Sequence, residues 1–162
     1  MKKEFLSGGK RCVCFGSDEP SCVLIQPEES DRLDGLEAEY RFIGKMVDKP
    51  FLLAGLFSLW ASFNSSSFQA VSAASASVWF PGWLDYASER ECRASHVYLS
   101  LGDKEEKTRN PVMATVGSCM RSMDEVLSRK GTDHILEWNE GNHFKDADLR
   151  CAKGFAWALK QI

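Results

Sequence analysis

Two periods of apolar residues alternate along the second half of this chain, and their order predicts its architecture. HVYLSLG (96–102) and HILEW (134–138) are short apolar runs bounded by turn residues, the pattern of buried strands. AVSAASASVWFPGW (70–83) carries β-branched and small residues and stops at Pro81-Gly82, which predicts a strand running into a loop. PFLLAGLFSLWASF (50–63) opens with an apolar run, turns small at Ala54-Gly55, and continues with Leu56, Leu59, Trp60 and Phe63 at helical spacing. It predicts a strand, a tight turn and a buried helix. Val112, Val116, Cys119, Met123, Val126 and Leu127 form the stripe of a further helix. Asn110-Pro111 supplies its N-cap and first turn, and Gly131 its C-cap. Leu149, Ala152, Phe155, Ala156 and Leu159 give the buried face of a last helix over 147–160, with Asp146 as its cap.

The first third is patterned differently. KRCVCFG (10–16) alternates side chains and ends in a turn cluster, and CVLIQP (22–27) is a second short apolar run, so the two predict an N-terminal hairpin. Leu33, Leu36, Tyr40 and Ile43 then recur at spacings of three and four, one face of a helix. Strand–helix alternation from residue 50 onward is the grammar of right-handed crossovers on a mostly parallel sheet flanked by helices. The expected fold is therefore a single α/β domain, with 1–45 forming hairpin plus helix and 50–162 the sheet. No internal repeat or low-complexity linker divides it.

Composition narrows the partners more than the chemistry. Hydrophobic residues make up 44% and charged residues 27%, an ordinary globular balance. A net charge of -3 offers no electrostatic reason to bind nucleic acid or an anionic membrane surface. No apolar run reaches the ~18 residues of a membrane span. MKKEFLSGGKR lacks the apolar stretch of a signal peptide, and the expected location is cytoplasmic. The 6 cysteines form no C-x-x-C pair, and none of the 3 histidines lies near a cysteine pair. Free thiols are expected in a reducing compartment, with no metal and no cofactor.

In α/β sheets, reactive groups gather where loops leave the carboxyl ends of strands. Two such loops carry suitable residues. In LSLGDKEEKT (99–108), Gly102 ends a strand and Asp103, Glu105 and Glu106 follow; in WNEGNHF (138–144), His143 lies between the last strand and the last helix. Acidic loop residues beside Lys104 and Lys107 are ordinarily just solvated, and a lone loop histidine is ordinarily incidental. Their pairing on neighbouring strand ends, acid before histidine, is what matches two-thirds of a Ser-His-acid triad. His96 precedes a strand and His134 begins one, so both read as structural.

LAGLFSLWASF (53–63), SVWFPGWLDY (77–86), VYLSLGDKEEKTRNPVMATVG (97–117) and LEWNEGNHFKDADLRCAKGFAWAL (136–159) resemble successive blocks of bacterial esterases of the α/β-hydrolase superfamily, related to the esterase-D and enterochelin-esterase groups. The resemblance covers nearly all of 50–162. It implies carboxylic ester hydrolysis on a small-molecule ester, with His143 as the catalytic histidine. It places the acid three residues beyond the strand-terminal glycine, at Glu105, with Asp103 as the alternative. It also implies that the loop around Trp79, Phe80, Trp83 and Tyr86 borders the site, although such a group more often packs over a sheet end.

The departure is at the nucleophile. The family's elbow has the form G-x-S-x-x-G, and the matching stretch here is Pro50-Phe51-Leu52-Leu53-Ala54-Gly55, with Leu52 in place of the serine. Only GKMVDKP separates Ile43 from Phe51, so the central region is expected to lack a strand and the loop that contributes to the oxyanion hole. Ser58, inside a helix, and Ser75 and Ser77, in a strand, read as structural; Cys12 and Cys14 have nothing that points them at His143. Two readings follow: an esterase by descent with impaired chemistry, or a non-catalytic pseudoenzyme acting as a small-ligand or protein-interaction module.

Overall fold

The computed structural model describes residues 55–161 throughout and, before them, the backbone of segments 2–7, 10–15, 24–25 and 51–52. In chain order these are strands β1 (Lys2–Ser7), β2 (Lys10–Phe15), β3 (Leu24–Ile25) and β4 (Phe51–Leu52), then helix α1 (Gly55–Asn64) and β5 (Ala70–Ala74). Helix α2 (Trp83–Glu89), β6 (His96–Gly102), a 3₁₀ turn (Met113–Thr115), α3 (Val116–Lys130), β7 (Asp133–Asn139) and α4 (Ala147–Leu159) complete the order.

The N-terminal hairpin is displaced from its expected place. β2 pairs antiparallel with β1, not with 22–27, and Leu24–Ile25 pairs parallel with Phe51–Leu52. Gly8-Gly9, a two-residue glycine connection of the kind hairpins favour, is the signal that announces the β1–β2 pair. The helix expected around Leu33–Ile43 and the interval from Ile43 to Phe51 lie outside the described residues.

β5, β6 and β7 form a parallel sheet in that order, with Ala70 opposite His96 and His96 opposite Asp133 at one end, and Ala74 opposite Ser100 and Gly102 opposite Asn139 at the other. With helices packed against it, this is an α/β fold. Side chains alternate across β6, so Val97, Leu99 and Leu101 join Val71, Ala73 and Leu136 on one face. There they pack against Leu59 and Phe63 of α1, Trp83 and Ala87 of α2, and Met120, Met123, Val126 and Leu127 of α3. Burial of each large side chain stabilises the fold by ~1.5–3 kcal/mol. The opposite face, carrying Ser72, Tyr98, Ser100 and Glu137, is covered by α4 and is mostly polar.

Three details differ from the sequence expectation. The strand at 70 ends at Ala74, because Ser75 takes a left-handed backbone (φ 49) that breaks the ladder. Residues 83–89 are helical, entered through Gly82 at φ 79, and the buried pair Trp83 and Ala87 at helical spacing was the available signal. The stripe of α3 holds, with Val116, Met123, Val126 and Leu127 buried and Met120 added to them, while Val112 lies before the helix and is exposed. The stripe of α4 is shifted: Leu149 is 49% exposed and Arg150 is 3% exposed. Asn110 does not cap α3, whose N-cap position is Thr115; its side-chain oxygen accepts from the amides of Val112 and Met113 in the turn that leads into the 3₁₀ segment. Gly131 closes α3 at φ 68. Asp146 sits at the start of α4 without a side-chain cap bond.

Candidate functional site

The loops after β6 and β7 are zipped together. The parallel ladder continues one step past the strands, Asp103 N–H donating to the Asn139 carbonyl at 2.8 Å, and Lys104 N–H donates to the Gly141 carbonyl at 3.0 Å. The Asp103 carboxylate accepts from Gly141 N–H at 2.7 Å. Gly102 is required at this junction, since a Cβ there would lie 2.4 Å from the Gly141 carbonyl oxygen. Gly141 itself has φ 110, open only to glycine at ordinary cost. Of the two candidate acids, Asp103 is therefore the staple between the loops.

Glu105 meets the histidine. Its Oε2 lies 2.9 Å from His143 Nδ1. Its Oε1 accepts from Gly102 N–H at 2.7 Å, from Ser75 Oγ at 2.7 Å and from the Arg150 guanidinium at 2.6 Å. Arg150 also donates to the Asn142 carbonyl at 3.2 Å and to Ser75 Oγ. The carboxylate and guanidinium are both almost wholly buried, at 6% and 3% exposure, whereas the His143 side chain is 53% exposed. Burial pushes the Glu105 carboxyl up, but the hydrogen bonds from His143, Arg150, Ser75 and the Gly102 amide outweigh it and hold the group at about 2. Glu105 is therefore an anion across the physiological range. With Nδ1 engaged, the other ring nitrogen of His143 faces away from the carboxylate. Phe144, 77% exposed, stands edge-on to the imidazole with centroids 5.1 Å apart.

A second polar chain runs under α4 beside this one. Buried Tyr98 donates to Glu137 at 2.6 Å, and Lys153 bridges Glu137 and Asn139. Burial and the neighbouring Glu137 both push the Tyr98 hydroxyl up, so it stays protonated. Gly154 lets α4 approach this layer closely, since a Cβ there would collide with the Ser72 hydroxyl and the Tyr98 ring.

The remaining candidates fall into structural places. Ser58 is fully buried in α1. Ser75 is committed to Glu105 and Arg150. His96 pairs with Asp133 at 2.8 Å at the opposite end of the sheet, and His134 contacts the Thr132 carbonyl and Asp124. Trp83 and Tyr86 stack on each other and pack edge-on to Phe63, while Phe80 is 56% exposed. Cys92, Cys119 and Cys151 are in no disulfide, and burial pushes the Cys92 thiol up. Among the described residues no group of three or more His, Cys, Asp and Glu side chains is placed to hold a metal ion. An open polar cleft lined by Ser88, Glu91, Val126, Arg129 and Lys130 shares no residue with the two loops. No described helix is long and apolar enough to cross a membrane.

Arg150 and Ser75 are the members of the Glu105 cluster that sequence reasoning passed over as functional candidates. Charge did not single out the first, because α4 also carries Asp148 and Lys153. No family model matches this chain, and no curated protein or solved structure shows significant similarity to it.

Proposed function

We propose that this chain is an α/β-hydrolase of the esterase kind that retains the acid and base of a Ser-His-acid triad and has lost the nucleophile. The observation that carries the reading is the Glu105–His143 pair, 2.9 Å apart, on loops leaving the carboxyl ends of adjacent parallel strands. An acid oriented on Nδ1 leaves Nε2 available to move a proton, which is the geometry of general-base catalysis. In relatives the base would activate a serine for attack on a carboxylic ester, and backbone amides would hold the oxyanion. Here β4 ends at Leu52, whose side chain has no atom able to attack a carbonyl. Proline at position 50 gives none of the backbone freedom of the family's elbow glycine. On this reading the protein is cytoplasmic and its ester chemistry is impaired.

The test is hydrolysis of a short activated ester by the wild type, His143→Ala and Leu52→Ser, beside labelling with a fluorophosphonate probe. The expected result is no labelling and no His143-dependent turnover. A site with binding and oxyanion donors alone gives at most ~10³–10⁴ over water. Wild-type turnover abolished by His143→Ala would overturn the loss of the nucleophile.

The exposure of Phe144 beside His143 favours a second reading, a non-catalytic module that binds a small ligand through an imidazole and an aromatic face. Titrating the protein with a short ester or carboxylic acid while following the His143 ring resonances separates the two. Saturable shifts without turnover support the binding module, and an unmoved spectrum excludes it.

A further inference from the structure

The Arg150 guanidinium spans both loops of the site. One of its nitrogens donates to the carbonyl of Asn142, the residue before His143, and the other donates to Glu105 Oε1 and to Ser75. One rigid planar group thus touches the segment that carries the base and the side chain that serves as the acid. Its rigidity matters because a fork of fixed geometry sets the separation of the two loops as well as their charge. Lysine, with a single donor centre on a flexible stem, would match the charge but not the span.

The distribution of donors on Glu105 points the same way. Oε1 takes three of them, from Gly102, Ser75 and Arg150, whereas Oε2 takes only His143. A carboxylate held by three donors on one oxygen cannot rotate about its final bond without breaking them. Ser75 contributes from a left-handed backbone, φ 49, a conformation that is strained for a residue other than glycine. That strain places its hydroxyl between the acid and the guanidinium.

We propose that Arg150 is a positioning residue of this site, acting with Ser75 to immobilise one oxygen of Glu105 so that the other is presented to Nδ1 of His143. The proposal rests on the reading of Glu105 and His143 as a retained acid–base pair. It goes beyond that reading by assigning the orientation of the pair to a residue on the last helix, 45 positions from the acid. A merely structural role is the competing account: Arg150 would neutralise a buried carboxylate, and any variant that folds would leave the acid–histidine bond intact.

The experiment is ¹H–¹⁵N NMR of the histidine ring in the full chain, following the Nδ1–H proton that His143 donates to Glu105. Glu105→Gln and His143→Ala assign the signal, and circular dichroism with thermal unfolding establishes which variants are folded. The wild type is expected to show a downfield, slowly exchanging Nδ1–H resonance. Folded Arg150→Lys is expected to lose that resonance or its protection from exchange, and Ser75→Ala to weaken the protection with the resonance still present. Arg150→Met, where it folds, is expected to lose the resonance. Folded Arg150→Lys or Arg150→Met with the wild-type resonance and protection overturns the proposal. If neither folds, Ser75→Ala decides it, and unchanged protection there overturns it. The readout needs no ester, so fluorophosphonate labelling that sinks the proposed function leaves this result standing, and failure here leaves the proposed function untouched.

Discussion

Glu105 uses its two oxygens differently, and the consequences can be read from its titration. Its folded value of about 2 lies below the ordinary 4.5, so the folded chain binds fewer protons at this site than the unfolded chain. The stability it contributes is therefore fully present above about pH 4.5 and lost as pH falls toward 2. Glu105→Gln is expected to remove at most ~3 kcal/mol at neutral pH and to flatten the acid limb of the stability curve over that window. Urea unfolding of both proteins at a series of pH values checks this, and an unchanged acid limb would show that the carboxylate is not held as described. Asp103 has a different job one residue pair away. Its carboxylate closes the loop on Gly141, so its removal should loosen the junction without taking the partner from His143. The sequence left Glu105 and Asp103 as alternatives, because both follow Gly102 within three residues and strand-end placement is all that spacing conveys. Which of them turns inward depended on Ser75 and Arg150, which lie 30 and 45 positions away.

At the scale of elements, the helices are announced by their caps and periods, and their rotation is decided by what they cover. In α3, Gly131 at φ 68 closes the helix as its position after Lys130 suggested, and Gly131→Ala is expected to destabilise by ~1 kcal/mol in thermal unfolding. α4 is instructive because the apolar reading puts Leu149 inward, whereas the helix turns Arg150 inward together with Gly154, Phe155 and Ala158. The reason is the polar face of the sheet: a buried carboxylate requires a buried cation more strongly than one leucine requires burial. Arg150→Met is expected to lose ~3–5 kcal/mol, since it strands an uncompensated buried charge. Leu149→Ala is expected to stay within ~0.5 kcal/mol. The reverse order of the two in denaturant unfolding would mean the helix is rotated as the apolar pattern alone predicts. The junction of β6 and β7 has its own test. Gly102→Ala drives a methyl group into the Gly141 carbonyl and is expected to cost ~1–3 kcal/mol while spreading the loops that hold Glu105 and His143.

For the whole molecule, one face of a parallel sheet carries an apolar core and the other a polar layer that ends at the Glu105 cluster. On the proposed hydrolase reading, the missing chemistry is not a single atom. Leu52→Ser is expected to leave activated-ester hydrolysis at the wild-type background, because a hydroxyl restored beside Pro50 still lacks the elbow's backbone freedom. Turnover regained in that variant would show that the serine was the only element lost. The alternation of strands and helices after residue 50, the turn at Asn110, the cap at Gly131, and the placement of His143 and the acidic loop at neighbouring strand ends were all determined by local sequence. Each depends on periodicity, backbone freedom or chain order within a few residues. The identity of the acid that meets His143, the left-handed turn at Ser75 and the inward rotation of Arg150 were decided only in three dimensions. They depend on charges and hydroxyls brought together from β5, the β6 loop and α4, and a buried charge is tolerable only where a distant partner of opposite sign is already in place.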